Sequence, residues 1–242
     1  MGFTVLQELF TSSEIESLQS DYRRLHAEAM ALVHQSDKAR ERVWMENDEE
    51  TRSVYWRCDD DENEKVILQA GEGRYDLHTG FVSDTAARLA RNPQLMRLME
   101  VVLGAPSTFS CHTSFILSQP DSQDQYWHRD TDTFQKSGSD GSVLVHMEDF
   151  YFTVLVPITV DVTTLNGPTE FMVGSHKTTA DTFAFLQRQQ VCAPVGSALV
   201  FNGKINHRGM GNSSALERPI LYFVFSKRWY NDSYRAGLKD DA

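Results

Sequence analysis

From Pro106 onward the chain is cut into short runs of β-branched and aromatic residues, and that pattern limits the folds open to it more than any other feature. The runs Phe109 to Leu117, Asp149 to Ile158, Ser197 to Phe201 and Ile220 to Phe225 are separated by stretches rich in Gly, Pro, Asn and Ser. Runs of this length suit strands, which need only five or six residues to pair and cover one face of a core. The pattern predicts antiparallel strands forming a sandwich or barrel.

The earlier part of the chain reads differently. Thr11 and Glu14 have capping-box spacing, flanked by Phe10 and Ile15 as a hydrophobic staple. Ile15, Leu18, Tyr22, Leu25, Ala29 and Leu32 then recur at helical spacing, so a helix is predicted from about Ser12 to about Val33. Asp84 to Arg91 reads as a second helix. Asn92-Pro93 starts a third, which turns Leu95, Leu98, Met99 and Val102 to one side and stops at Gly104. Gly73 to His78 reads as a short strand. Two acidic clusters between Glu46 and Lys65 flank Val54-Tyr55-Trp56, and they are either a solvated face or a lid in contact with substrate. The reading is one domain over residues 1–242, mainly β with flanking helices: a mainly helical flank over 1–105 and a β core over 106–230.

A formal net charge of −11 argues against a nucleic-acid surface, which needs cationic groups to displace counterions from phosphates. Cys58, Cys111 and Cys192 stand far apart without CxxC spacing, so neither a zinc knuckle nor a disulfide framework is expected, and a reducing compartment fits best. No apolar stretch approaches a membrane span, and Met1 to Leu6 lacks the basic segment and apolar run of a secretory signal. The expectation is a soluble cytoplasmic protein with no nucleic-acid or membrane partner.

The stretch Tyr126-Trp127-His128-Arg129-Asp130 contains the HRD triplet of a kinase catalytic loop. That loop needs Asn five residues after the Asp, where this chain has Gln135, and Asp149-Phe150 is not followed by glycine. Kinase chemistry is excluded. On an extended strand residues two apart share a face, so His128 and Asp130 project together and Arg129 points away. An imidazole beside a carboxylate supplies two of the three ligands of a 2-His-1-carboxylate facial triad. Of the eight histidines, His26 and His34 lie on or near the first helix. His78, His112, His146 and His176 lack a companion ligand at useful spacing and read as surface or hydrogen-bonded residues. His207 stands out, because it lies between a buried strand and the turn-rich Gly209 to Ser214, at the mouth of a β-structure. Arg218, eleven residues later, opens the last long strand. Burying its guanidinium requires an anion, and the alternative is an arginine snorkelling to water.

His128-x-Asp130, Asn166-Gly167-Pro168-Thr169-Glu170-Phe171-Met172-Val173-Gly174-Ser175-His176, Gly196 to Phe201, His207 and Arg218 occur in the order seen in the phytanoyl-CoA dioxygenase-like family. The chain resembles that family over most of its length, from Gly2-Phe3-Thr4-Val5-Leu6 and the capped helix onward, and least over residues 34 to 80. The resemblance implies a double-stranded β-helix, a cupin-like jelly roll with helices packed outside. It implies an Fe(II)- and 2-oxoglutarate-dependent oxygenase that uses O2, converts 2-oxoglutarate to succinate and CO2, and hydroxylates an unactivated C–H. On the same resemblance His128, Asp130 and His207 hold Fe(II), and Arg218 pairs with the distal carboxylate of 2-oxoglutarate through its planar fork.

Thr153 either turns its hydroxyl to the cosubstrate or is an ordinary strand threonine, and Phe134 either walls the pocket or packs in the core. Because Asp130 is present, the position that halide takes in related halogenases is filled, so halogenation is not expected; desaturation, epoxidation and ring closure stay open. Pocket walls are expected from Tyr75 to Phe81, from Phe134 to Val145 and from the segment between His34 and Lys65. The acidic charge disfavours a CoA thioester. The expected partner is a free small-molecule substrate, an amino acid or natural-product intermediate, and the acidic segment hints at a cationic group on it. Two rival readings remain: a zinc hydrolase on the same ligands and a non-catalytic β-sandwich binding module.

Overall fold

The computed structural model describes residues 1–36, 43–48, 53–58, 64–131, 136–137, 143–145, 147–178 and 184–230. Strand β1 (Phe3–Leu6) leads into helix α1 (Ser12–Ser36). The capping box forms as the spacing requires: the Thr11 N–H donates to the Glu14 carboxylate at 2.9 Å, and the Glu14 N–H donates to Thr11 Oγ1 at 3.3 Å. Ile15, Leu18, Tyr22, Leu25 and Ala29 are buried, the single stripe expected of an amphipathic helix. Strands β2 (Val43–Asp48), β3 (Ser53–Cys58), β4 (Lys65–Gln69) and β5 (Arg74–Thr79) follow as an antiparallel meander. Helices α2 (Asp84–Leu89) and α3 (Pro93–Leu103) come next, capped by the side chains of Ser83 and Asn92.

The β part consists of β6 (Phe109–Ser118), β7 (Lys136–Ser137), β8 (Val143–Val145), β9 (Tyr151–Pro157), β10 (Thr169–Met172), β11 (Arg188–Val191), β12 (Ala198–Asn202), β13 (His207–Gly209) and β14 (Arg218–Lys227). The four long runs read from sequence are β6, β9, β12 and β14. They lie together in the middle of a nine-stranded sheet of order β1-β12-β9-β14-β6-β5-β4-β3-β2. A three-stranded sheet, β11-β10-β13, packs against one end of it through Phe171 on β10, Phe201 on β12 and Phe3 on β1. The architecture is the jelly roll that the sequence led us to expect.

Side-chain alternation gives the large sheet two unlike faces. Leu77, Phe115, Leu117, Val154, Val156, Leu221, Phe223 and Phe225 pack with the helices in the main core. The opposite face carries Arg74, Asp76, Ser114, Ser118, Thr153, Arg218 and Tyr222, and it is here that the polar chemistry collects.

Among the described residues, the parts of the chain before and after residue 105 share one sheet. Residues 1–105 hold the three helices, but also five strands, β1 to β5, that belong to the same large sheet as β6 and β14. Within the acidic segment, residues 49–52 and 59–63 lie outside the described residues, as does Phe134.

Candidate active site

His207 opens β13 and is buried, its ring packed against Phe201 and Phe171 at centroid separations of 4.7 and 5.8 Å. His128 is not part of a longer strand. A single antiparallel bridge joins it to His207, each N–H donating to the other's carbonyl at 2.9 Å. Two residues on, the Asp130 N–H donates to the Gly203 carbonyl at 3.0 Å, which keeps the chain extended through the HxD segment. The alternation read from sequence therefore holds: Arg129 leaves by the other side, where its Nη2 donates to the Ser175 carbonyl at 3.2 Å.

His128, Asp130 and His207 each direct one ligand atom into a common space, with all three atoms within 4.8 Å of one another. Asp130 Oδ1 lies 3.5 Å from His207 Nε2 and 4.0 Å from His128 Nε2. The other ring nitrogens are already engaged. His128 Nδ1 is 2.9 Å from the Tyr126 carbonyl and His207 Nδ1 is 3.0 Å from the Ile205 carbonyl. A carbonyl can only accept, so both Nδ1 atoms carry a proton and both Nε2 atoms are turned toward Asp130, as in histidines that bind a metal. Burial lowers the His207 pKa to about 4, with Asp130 opposing and His128 adding to the shift, so the imidazole is neutral and ready to donate its lone pair. The second carboxylate oxygen, Asp130 Oδ2, accepts from the Thr153 hydroxyl. Two imidazoles and one oriented carboxylate are the donor set of a divalent metal with open positions, and the site fits iron on that chemistry.

Arg218 begins β14 as read and does not reach water: it is 6 % exposed. Its Nε donates to the Asn166 carbonyl at 3.0 Å, and no carboxylate pairs with it among the described residues. Burial, then the nearby charge of Arg74, lowers its pKa to about 9. The Asn166-Gly167 turn that supplies this carbonyl explains part of the signature stretch. Asn166 Oδ1 accepts from the Thr163 N–H at 2.8 Å, and Gly167 has φ +87°, with the Met210 carbonyl 2.5 Å from where a Cβ would stand.

Thr153, open in the sequence between facing the cosubstrate and an ordinary strand position, lies on the polar face with its hydroxyl donating to the Asp130 carboxylate. Of the expected pocket wall Tyr75 to Phe81, Asp76 lies on that face, where it accepts from the Tyr222 hydroxyl at 2.8 Å and stands 3.0 Å from Ser114 Oγ. Tyr75 and Leu77 face the helices instead, because alternation along β5 sends them to the other side. Arg74, a buried arginine beside the site, was missed by sequence reasoning; the alternation Arg74, Asp76, His78 against Tyr75 and Leu77 was its only signal. Of the loop Phe134 to Val145, the described residues are 136–137 and 143–145, which pair as β7 and β8.

The chain matches the family model described as phytanoyl-CoA dioxygenase (PhyH) over residues 1–220. Among solved structures it is similar to SnoN, described as a non-heme α-ketoglutarate-dependent epimerase from nogalamycin biosynthesis. That match has 18% identity and a TM-score of 0.63, and covers 93% of this chain and 78% of SnoN. It is similar to HygX from Streptomyces hygroscopicus, solved with nickel, 2-oxoglutarate and hygromycin B, at 15% identity and a TM-score of 0.60, over 96% of this chain and 85% of HygX. AviO1 from Streptomyces viridochromogenes Tue57 matches at 15% identity and a TM-score of 0.61, over 95% and 91%. At these identities the likeness is one of fold.

Proposed function

The chain belongs to the phytanoyl-CoA dioxygenase family of iron- and 2-oxoglutarate-dependent enzymes, and on that premise we propose that it hydroxylates an unactivated C–H of a small molecule. The observation that carries this reading is the joint placement of the His128, Asp130 and His207 ligand atoms with a buried Arg218 that has no carboxylate partner among the described residues.

In this reading His128, Asp130 and His207 hold Fe(II), and Arg218 holds the distal carboxylate of 2-oxoglutarate. The iron, when bound, supplies O2 activation coupled to oxidative decarboxylation of 2-oxoglutarate to succinate and CO2. The protein's own groups supply the orientation. The two Nδ1–H groups are tied to backbone carbonyls, which fixes both rings, and the Thr153 hydroxyl fixes the Asp130 carboxylate. Asp130 occupies the position that halide would need, which favours oxygen transfer. No general base is required, and positioning is the protein's contribution.

The substrate is a free small molecule, and HygX and SnoN, with hygromycin B and nogalamycin in their descriptions, support a natural-product intermediate. A screen of such compounds with Fe(II), 2-oxoglutarate and O2, read by mass, tests the reaction. One added oxygen in the product, matched by succinate, is the expected outcome. Loss of two hydrogens, or a product of unchanged mass as in an epimerisation, would replace hydroxylation with another outcome.

A further inference from the structure

Three neighbouring strands set Arg74, Ser118 and Arg218 in one row. Ser118 on β6 is the register partner of Arg74 on β5 and of Arg218 on β14. Cross-strand partners share a face, so the two guanidinium groups leave the same side of the sheet with the Ser118 hydroxyl between them. Both are buried, Arg74 at 2 % exposure and Arg218 at 6 %. Among the described residues neither forms an ion pair with a carboxylate. Asp124, whose charge reaches Arg74, is engaged elsewhere: it pairs with Arg208 at 3.2 Å and accepts the Gly211 N–H at 2.7 Å. Two buried like charges side by side are costly unless an anion joins them.

Arg74 has a second connection. Its Nη2 donates to the Gln123 carbonyl at 3.2 Å and to the Met210 carbonyl at 3.0 Å. These carbonyls belong to the two antiparallel segments that carry the histidine ligands. The Gln125 N–H donates to the Gly209 carbonyl at 2.8 Å, and further along the same ribbon lie the paired backbones of His128 and His207. One side chain thus borders the anion pocket and fastens the ribbon that sets His128 opposite His207.

We propose that Arg74 is a second, positioning arginine of the cosubstrate pocket, whose charge selects a 2-oxo acid with a distal carboxylate and whose hydrogen bonds hold the ligand-bearing ribbon in register. This rests on the 2-oxoglutarate reading above. Arg218 makes the direct pair; Arg74 raises the positive potential around it and keeps the metal ligands at a fixed distance from that anchor.

Calorimetric titration of Ni2+-loaded protein, which avoids turnover, tests this with two ligands. One is 2-oxoglutarate; the other is 2-oxopentanoate, which keeps the 2-oxo acid head and chain length but lacks the distal carboxylate. Arg74→Gln keeps a donor for the two carbonyls and removes the charge. It is expected to weaken 2-oxoglutarate about tenfold, the scale of one charge pair about 12 Å apart at an effective dielectric of about 20, and to leave 2-oxopentanoate within about twofold. Arg74→Lys, which keeps the charge, is expected to retain the wild-type preference between the two acids within about threefold. Unchanged 2-oxoglutarate affinity in Arg74→Gln, or equal weakening of both acids, overturns the proposal. If Arg74→Gln does not fold, loss of the preference in Arg74→Lys overturns it instead. A wild type that binds neither acid removes the 2-oxoglutarate reading first and the proposal with it.

Discussion

Asp130 divides its carboxylate between two tasks, turning Oδ1 to the two imidazoles and giving Oδ2 to the Thr153 hydroxyl. Thr153→Val keeps the side-chain shape and removes the donor. Partners that orient a metal ligand typically carry about 10–100-fold of metal affinity, so the variant should bind Fe(II) on the order of tenfold more weakly. At saturating metal its 2-oxoglutarate affinity should stay within about twofold of wild type, because the hydroxyl is spent on Asp130. Metal titration followed by calorimetry separates this from a direct contact with the cosubstrate, which would weaken 2-oxoglutarate even at saturating metal. At this scale the sequence revealed what short spacing encodes. His128 and Asp130 are two apart on extended backbone, and Arg218 follows His207 at a recognisable distance. Thr153 stayed ambiguous because its partner lies on another segment. His176 was read as a surface or hydrogen-bonded residue; it is buried against Gly2, and its Nδ1 has no hydrogen-bond partner among the described residues. Burial pulls its pKa to about 4. Nothing local in the chain announces a contact with its own N-terminus.

Among the elements, the strands that sequence revealed are those in the middle of the large sheet, and those it did not reveal lie toward its ends. β6, β9, β12 and β14 are covered on one face by helices and on the other by the site or the small sheet, so their apolar content is high. β1 is a short edge strand, and β2 at the other edge carries Glu46 and Asp48. Charged or short edges resist unwanted pairing, and their structure comes from a neighbour more than from their own pattern. The turn before β10 is an element of another kind, a connection on which the site depends. Gly167 has φ +87° and no room for a Cβ beside the Met210 carbonyl, and the adjacent Asn166 carbonyl receives Arg218 Nε. Gly167→Ala should destabilise the fold by at least about 2 kcal/mol, from left-handed backbone strain plus the displaced carbonyl. For a chain of this size that is a fall in melting temperature of about 4–8 °C. Thermal unfolding monitored by circular dichroism checks it; an unchanged midpoint would mean that the turn relaxes without cost.

The whole molecule reconciles a strongly acidic chain with a cationic pocket. A net charge of −11 describes the overall balance, while the polar face of the large sheet holds Arg74 and Arg218 side by side at depth. The helices load one face of that sheet with the main core and leave the other to the ligand ribbon, so the metal donors, on β13 and the segment bridged to it, face the sheet that carries the anion anchor. Net charge, which argued against a nucleic-acid surface, did not reveal this local reversal, since two arginines among 242 residues scarcely alter a sum. The central claim is that the His128, Asp130 and His207 donors and Arg218 act together on 2-oxoglutarate. Succinate released from 2-oxoglutarate with Fe(II) and O2, compared among wild type, His207→Ala and Arg218→Ala, tests it most directly. The account predicts succinate from wild type, none above background from His207→Ala, and at least about a tenfold loss in Arg218→Ala at limiting 2-oxoglutarate. Equal succinate from all three proteins, or none from wild type across the substrate screen, would contradict it.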